Sequence, residues 1–270
     1  MLGLGNSITS DGIIETVFDL PSLQLHVDSL NVVSATVGSE VLVSALVPIV
    51  GTTQPRQATN DNKPTHDTTN NKITFAFEST GSDVPFLEMS SAITLTDAFT
   101  IVFAFAAHTD GSQTDAVSNI VGSNVDANNH SHLTITGDGG DALQFELRAD
   151  SSASGSNLSD KATSDMGEGN SLTSPPTVYA LTKSAGASAT VKMFSFHQGS
   201  LAEEGSSTAF SEDIDFVITQ IGGVMDGASA GSNEVQGNMH FYELLVYNEL
   251  LTEAKIQECF ALVQAKHADL

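Results

Sequence analysis

Carboxylates carry most of the chemistry this sequence could do. Thirty-three acidic residues stand against nine basic ones. They bunch at Glu203-Glu204 and at Glu212-Asp213-x-Asp215. A retaining glycoside hydrolase needs two carboxyl groups about 5 Å apart, which one strand supplies from alternate residues, as in Glu-x-Asp-x-x-Glu. No such triplet occurs, and both acidic clusters sit in Gly/Ser-rich sequence that reads as solvated loop. Turnover dependent on a single carboxylate such as Glu146 or Glu243 would point to an enzyme.

Other catalytic and metal chemistry is thinly represented. No nucleophile elbow is read from the chain, and the lone Cys259 falls on the apolar stripe of an expected helix. His130 and His132 share a face at i, i+2, without a third ligand to complete a metal site. Calcium is the cofactor to test for. Asp110 with Asp115, Asp126 with Asn128, and Asp138 with Asp141 offer the loop oxygens a hard cation takes, but none has the strict spacing of a calcium loop. Turn residues bonding their own backbone explain the same pairs. Sugar stacking has little to work with: there is no Trp, and only Tyr179, Tyr242 and Tyr247.

The net charge of −24 disfavours nucleic acid and anionic membranes as partners. The acid excess is spread along the chain, which fits adaptation to salty water better than a dedicated cation cluster. No apolar run reaches the roughly 18 residues of a membrane span. The first basic residue is Arg56, so the N-terminus does not read as a signal peptide, and synthesis in a cytoplasm is expected.

The elements expected to carry these residues are mostly strands. Residues 1–19 read as an arm, with Leu2, Leu4, Ile8, Ile13 and Ile14 as apolar anchors between glycines. Residues 20–270 read as one β domain that ends in a helix over 252–267. The alternation is clearest at Phe99–Ala107. There Phe99, Ile101, Phe103 and Phe105 share one face, and Thr100, Val102, Ala104 and Ala106 share the other. Further strands are expected at 21–28, 41–50, 73–77, 86–89, 92–95, 120–123, 132–136, 142–149, 177–183, 189–197, 216–221 and 239–247. Residues 51–71 and 151–176 read as loops. Thr252 can cap a helix whose Ile256, Cys259, Phe260 and Val263 fall at i, i+3, i+4 and i+7.

Four stretches together resemble the concanavalin A-like, laminin G-like jelly rolls. They are Leu23-Gln-Leu-His-Val-Asp, Asn71-Lys-Ile-Thr-Phe-Ala-Phe-Glu, Leu95-Thr-Asp-Ala-Phe-Thr-Ile-Val-Phe, and Gly237-Asn-Met-His-Phe-Tyr-Glu-Leu-Leu-Val-Tyr-Asn followed by Leu251-Thr-Glu-Ala-Lys-Ile. His26 stands where that family often has Trp, and Glu78 where Gly is common. The resemblance implies an all-β, two-sheet antiparallel sandwich with a C-terminal helix. The opening Met-Leu-Gly-Leu-Gly-Asn-Ser-Ile and the linear layout look like virion structural proteins of tailed phages, marine ones in particular.

That resemblance implies a non-enzymatic virion protein, a capsid decoration or a tail or fibre subunit. Its partners would be other virion proteins and further copies of itself. The alternative is a carbohydrate-binding, lectin-like module contacting host glycans. A glycoside hydrolase or lyase is the third reading.

Overall fold

The computed structural model describes residues 7–8, 14–76, 84–108, 118–126, 129–137, 143–148, 156–159, 177–186, 189–197, 200–207, 215–223, 238–267 and 270. In chain order the strands are β1 (Ser7–Ile8), β2 (Ile14–Glu15), β3 (Leu23–Asp28), β4 (Val32–Val37), β5 (Glu40–Leu46), β6 (Pro55–Arg56), β7 (Thr65–Asp67), β8 (Lys72–Phe75), β9 (Phe86–Leu95) and β10 (Phe99–His108). There follow β11 (Ser118–Asp126), β12 (Asn129–Gly137), β13 (Leu143–Arg148), β14 (Ser156–Ser159), β15 (Thr177–Lys183), β16 (Val191–His197), β17 (Ser200–Ser207), β18 (Phe216–Gly222) and β19 (Asn238–Tyr247). One helix, α1 (Glu253–Lys266), closes the chain.

Antiparallel pairing arranges the strands in two layers. In the first, β19 pairs with β10, then come β15, β16 and β17. The other edge of β19 is shared, with β3 against Glu243–Tyr247 and β8 against Met239–Phe241. The second layer runs β6, β9, β18, β11, β12, β13, β14. The β4–β5 hairpin and β7 link the layers at one side. This is the two-sheet sandwich the sequence implies.

Two apolar cores explain the two faces of β10. Phe99, Ile101, Phe103 and Phe105 enter the core between the sheets, with Leu147, Phe216 and Phe241. Leu143 and Phe145 of the same strand, β13, pair with Gly137 and Ile135, but their side chains lie outside the described set. On the opposite face, Val102 and Ala104 meet Ile256, Cys259, Phe260 and Val263 of α1. Small residues are needed there because a helix must approach the sheet backbone closely. Thr252 caps α1 by accepting from Lys255 N at 3.4 Å. Thr100 fixes the approach to the helix: its hydroxyl donates to Glu249 O at 2.9 Å and accepts from Leu251 N at 3.0 Å.

Several elements depart from the sequence reading. Residues 86–89 and 92–95 run on as one strand, β9. The expected loop 51–71 contains β6 and β7, and the expected loop 151–176 contains β14. Glu203 and Glu204 lie on strand β17 rather than in a loop, and Glu203 meets Lys192 across the pair at 2.8 Å. Strand β4 carries no burial alternation to reveal it. Within residues 1–19, Val17 is buried against α1. Its N–H donates to Glu258 Oε1 at 3.2 Å, and its carbonyl accepts from the Tyr247 hydroxyl at 3.2 Å.

The helix is therefore part of the folded unit. Phe260→Ala should destabilise the protein by about 3–5 kcal/mol, and Ala104→Leu by about 1–3 kcal/mol through overpacking beneath α1. Urea midpoints that do not move in either variant would show that α1 is detachable.

Candidate functional site

Among the described residues, the densest group of buried ionisable side chains lies between β3, β19 and the end of α1. Strand alternation puts Leu25 and Val27 of β3 into the inter-sheet core, so His26 and Asp28 face the helix. On β19 the register against β10 shifts beside Ala104 and Phe105, which are paired with Glu243 and Phe241. Tyr242 is the extra residue, and this bulge lets Tyr242 and Glu243 both serve the helix side. Its carbonyl accepts from Ser29 N at 2.8 Å, so no bulge acceptor is wasted.

The register sets Asp28 directly opposite Glu243. Both carboxylates are fully buried. Like charges placed so would repel strongly, but the C-terminal end of α1 supplies the compensation. Lys266 Nζ lies against Asp28 Oδ2 and 3.2 Å from Glu243 Oε1. Glu243 also meets His26 Nε2 at 2.5 Å and His267 Nε2 at 2.8 Å. Burial pushes the Glu243 carboxyl up, but hydrogen bonds from His26 and His267 and the charge of Lys266 outweigh it and hold it at about 2. An ionised Glu243 accepts only, so each histidine presents an Nε2–H to it. Asp28 Oδ1 takes Leu30 N at 3.0 Å and Asn31 N at 2.8 Å, turning the chain into β4.

This arrangement is closed to substrate. His26, Asp28, Glu243 and His267 are all buried, and of the cluster only the Lys266 side chain, about a quarter exposed, reaches solvent. His26, Asp28 and Glu243 do bring three ligand atoms within 4.8 Å of one another. The Lys266 ammonium already supplies the positive charge there, so a metal ion would have to evict it. Nearby, burial pushes the Cys259 thiol up to about 12, and the Tyr247 hydroxyl lies 3.5 Å from it. That thiol is a neutral core group, not a nucleophile.

The residues proposed from sequence are not gathered here. Asp110, Asp115, Asn128, Asp138 and Asp141 lie outside the described residues, and Asp126 ends β11 opposite Asn129. His130 and His132 sit on β12, opposite Asn124 and Gly122. Of the arm residues, Ile8 pairs with Ile14 in the β1–β2 hairpin, while Leu2, Leu4 and Ile13 lie outside the described set. A Gly-x-Ser-x-Gly pattern does occur, at Gly227-Ala-Ser-Ala-Gly231, also outside it. Sequence reasoning missed the buried cluster. Its signal was polar His26 and Asp28 alternating with core residues on a strand whose polar face a helix covers.

No protein-family model matches the chain, and neither does any curated protein sequence. Solved structures match its fold. The botulinum neurotoxin serotype D ligand-binding domain, in complex with N-acetylneuraminic acid, superposes with a TM-score of 0.53 at 13% identity, covering 89% of this chain and 50% of that one. The serotype D binding domain gives 0.52 at 14% identity, covering 91% and 51%. The serotype C1 binding domain gives 0.50 at 12%, covering 90% and 52%. The chain thus spans about half the length of these structures, and the likeness is one of β-sandwich fold. The tailed-phage resemblance gains no support from them.

The depressed Glu243 carboxyl gives stability that is fully present above pH about 4.5 and is lost as pH falls toward about 2. A shift of that size corresponds to about 3 kcal/mol. The stability gap between wild type and Glu243→Gln should therefore narrow across that window in urea titrations, and a constant gap would refute the linkage. Lys266→Met should cost about 3–5 kcal/mol at neutral pH by leaving two facing carboxylates. Adding Asp28→Asn should recover part of that loss.

Proposed function

We propose that this chain is a non-enzymatic binding module whose ligand is an uncharged glycan. The observation that carries the glycan-binding part of the reading is the alignment of about nine-tenths of the chain with toxin binding domains, one of them bound to N-acetylneuraminic acid, an acidic sugar; the neutral class of ligand is argued from this chain's own charge. The sealed carboxylate cluster supports it, because among the described residues the buried acids are spent on holding α1. The net charge of −24 argues for an uncharged sugar, since an acidic one would be repelled at low salt. Tyr179, Tyr242 and Tyr247 are all buried, so hydrogen bonding rather than ring stacking on tyrosine would bind the sugar.

A second reading, a structural subunit of a virus particle, is favoured by one feature. The exposed large apolar side chains cluster between Leu30 and Ile49, as a protein-contact surface requires. In that reading the N-terminal arm reaches a neighbouring subunit, and the protein resides on the particle.

Glycan-array binding with a parallel assay for released reducing sugar separates these readings. The expected result is retention on neutral glycans without turnover. Retention that needs calcium would assign a role to carboxylates such as Asp126 and Asp138. No retention on any glycan would reject the module reading. Turnover abolished by Glu146→Gln would reject it in favour of an enzyme.

A further inference from the structure

Charge is nearly absent from one long part of this acidic chain. Between Asp28 and Arg56 the only charged residue is Glu40. The same stretch holds Leu30, Val33, Val37, Val47 and Ile49, each between 41% and 49% exposed. Elsewhere among the described residues, the exposed large apolar side chains number only Leu250.

Strand β4 runs through the middle of this surface. It pairs with β5 on one side, and among the described residues its other edge has no strand partner. Val33 through Val37 are exposed on both faces of the strand. The hairpin turns at Gly38, whose φ of +64° suits the first position of a tight two-residue turn. A side-chain carbon added at Gly38 would meet nothing within 4 Å, so the tip projects into open space. Exposed edge strands are ordinarily protected from pairing by charge, proline or a covering loop. β4 has neither charge nor proline along Val-Val-Ser-Ala-Thr-Val.

We infer that the outer edge of β4 pairs antiparallel with β4 of a second copy of this chain, forming a two-fold dimer. A strand set antiparallel against itself is self-complementary, as a two-fold interface requires. Charge selects this occupant. Two copies that each carry −24 repel over most of their surface, and this hairpin, whose one charge is Glu40 at the tip of β5, is where they can approach. A basic partner would be drawn to the acidic remainder of the surface and would find no counter-charge here. Val33 and Val37, with Leu30, Val47 and Ile49 beside the strand, supply apolar contact next to the backbone ladder. This inference does not depend on the glycan reading.

Sedimentation equilibrium of the full chain, across micromolar to submillimolar protein, tests it. Wild type should pass from monomer to dimer, and association should tighten as salt rises, because screening removes repulsion without weakening backbone pairing. Val33→Lys/Val37→Lys should remain monomeric with an unchanged melting temperature. As a check that needs no variant, amide exchange at residues 32–37 of wild type should slow with rising protein concentration. A wild type that stays monomeric throughout would overturn the inference. So would a dimer that persists in the folded lysine variant, or exchange at 32–37 that ignores concentration.

Discussion

Two carboxylates facing each other under a helix set the terms for this fold. Asp28 and Glu243 occupy paired positions on β3 and β19, fully buried on the helix side. Burying both there calls for positive charge and hydrogen-bond donors from elsewhere. They come from the last turn of α1 and the residue after it, Lys266 and His267, and from His26 on the same strand as Asp28. The cluster therefore forms only when the first core strand, the last strand and the final helix are all in place. Residues more than two hundred positions apart are made conditional on one another.

Such a cluster is better understood as a device for register than as a source of net stability. Buried ion pairs often do no better than apolar side chains of the same shape, but breaking one is expensive. A one-residue slip of β3 against β19 would turn His26 and Asp28 into the apolar layer between the sheets, and Leu25 and Val27 out toward α1. Hydrophobic burial alone penalises that slip moderately. Uncompensated charge between the sheets makes it prohibitive. The bulge at Tyr242 belongs to the same device, because without the extra residue Glu243 would follow the alternation set by Phe241 and lose its place beneath Lys266.

What the sequence disclosed divides along the same line. Elements made by local periodicity were legible: the two-faced β10 strand and the capped α1 stripe were readable from spacing. Elements defined by long-range pairing were not. Val32–Val37 has no inward face of its own, so nothing in its pattern distinguishes strand from loop, and only its partnership with β5 makes it one. The buried cluster was hidden for a related reason. His26, Asp28, Glu243, Lys266 and His267 each look ordinary for a surface in their own neighbourhood, and their chemistry arises from the fold. Glu203 and Glu204 were misplaced because glycine and serine around them mimic loop composition on an edge strand that solvent wets.

These constraints also bear on where recognition can occur. The interior of the sandwich is filled by aromatic and aliphatic side chains, the outer face of the first sheet is covered by α1, and the buried acids between them are neutralised. What is left for a ligand is the periphery: loops at the sheet rims and exposed strand edges. In a protein whose surface is mostly acidic, a periphery can discriminate by what it withholds. In the proposed glycan reading, the chain's acid excess would turn away anionic ligands while leaving neutral hydroxyl groups free to exchange hydrogen bonds. In the proposed dimer, the sparsely charged β4–β5 hairpin would give a second copy an approach that electrostatics opposes least. Weak contacts with a sugar at one rim would gain from that pairing, because a dimer presents two such rims at fixed separation and the second binding event becomes intramolecular.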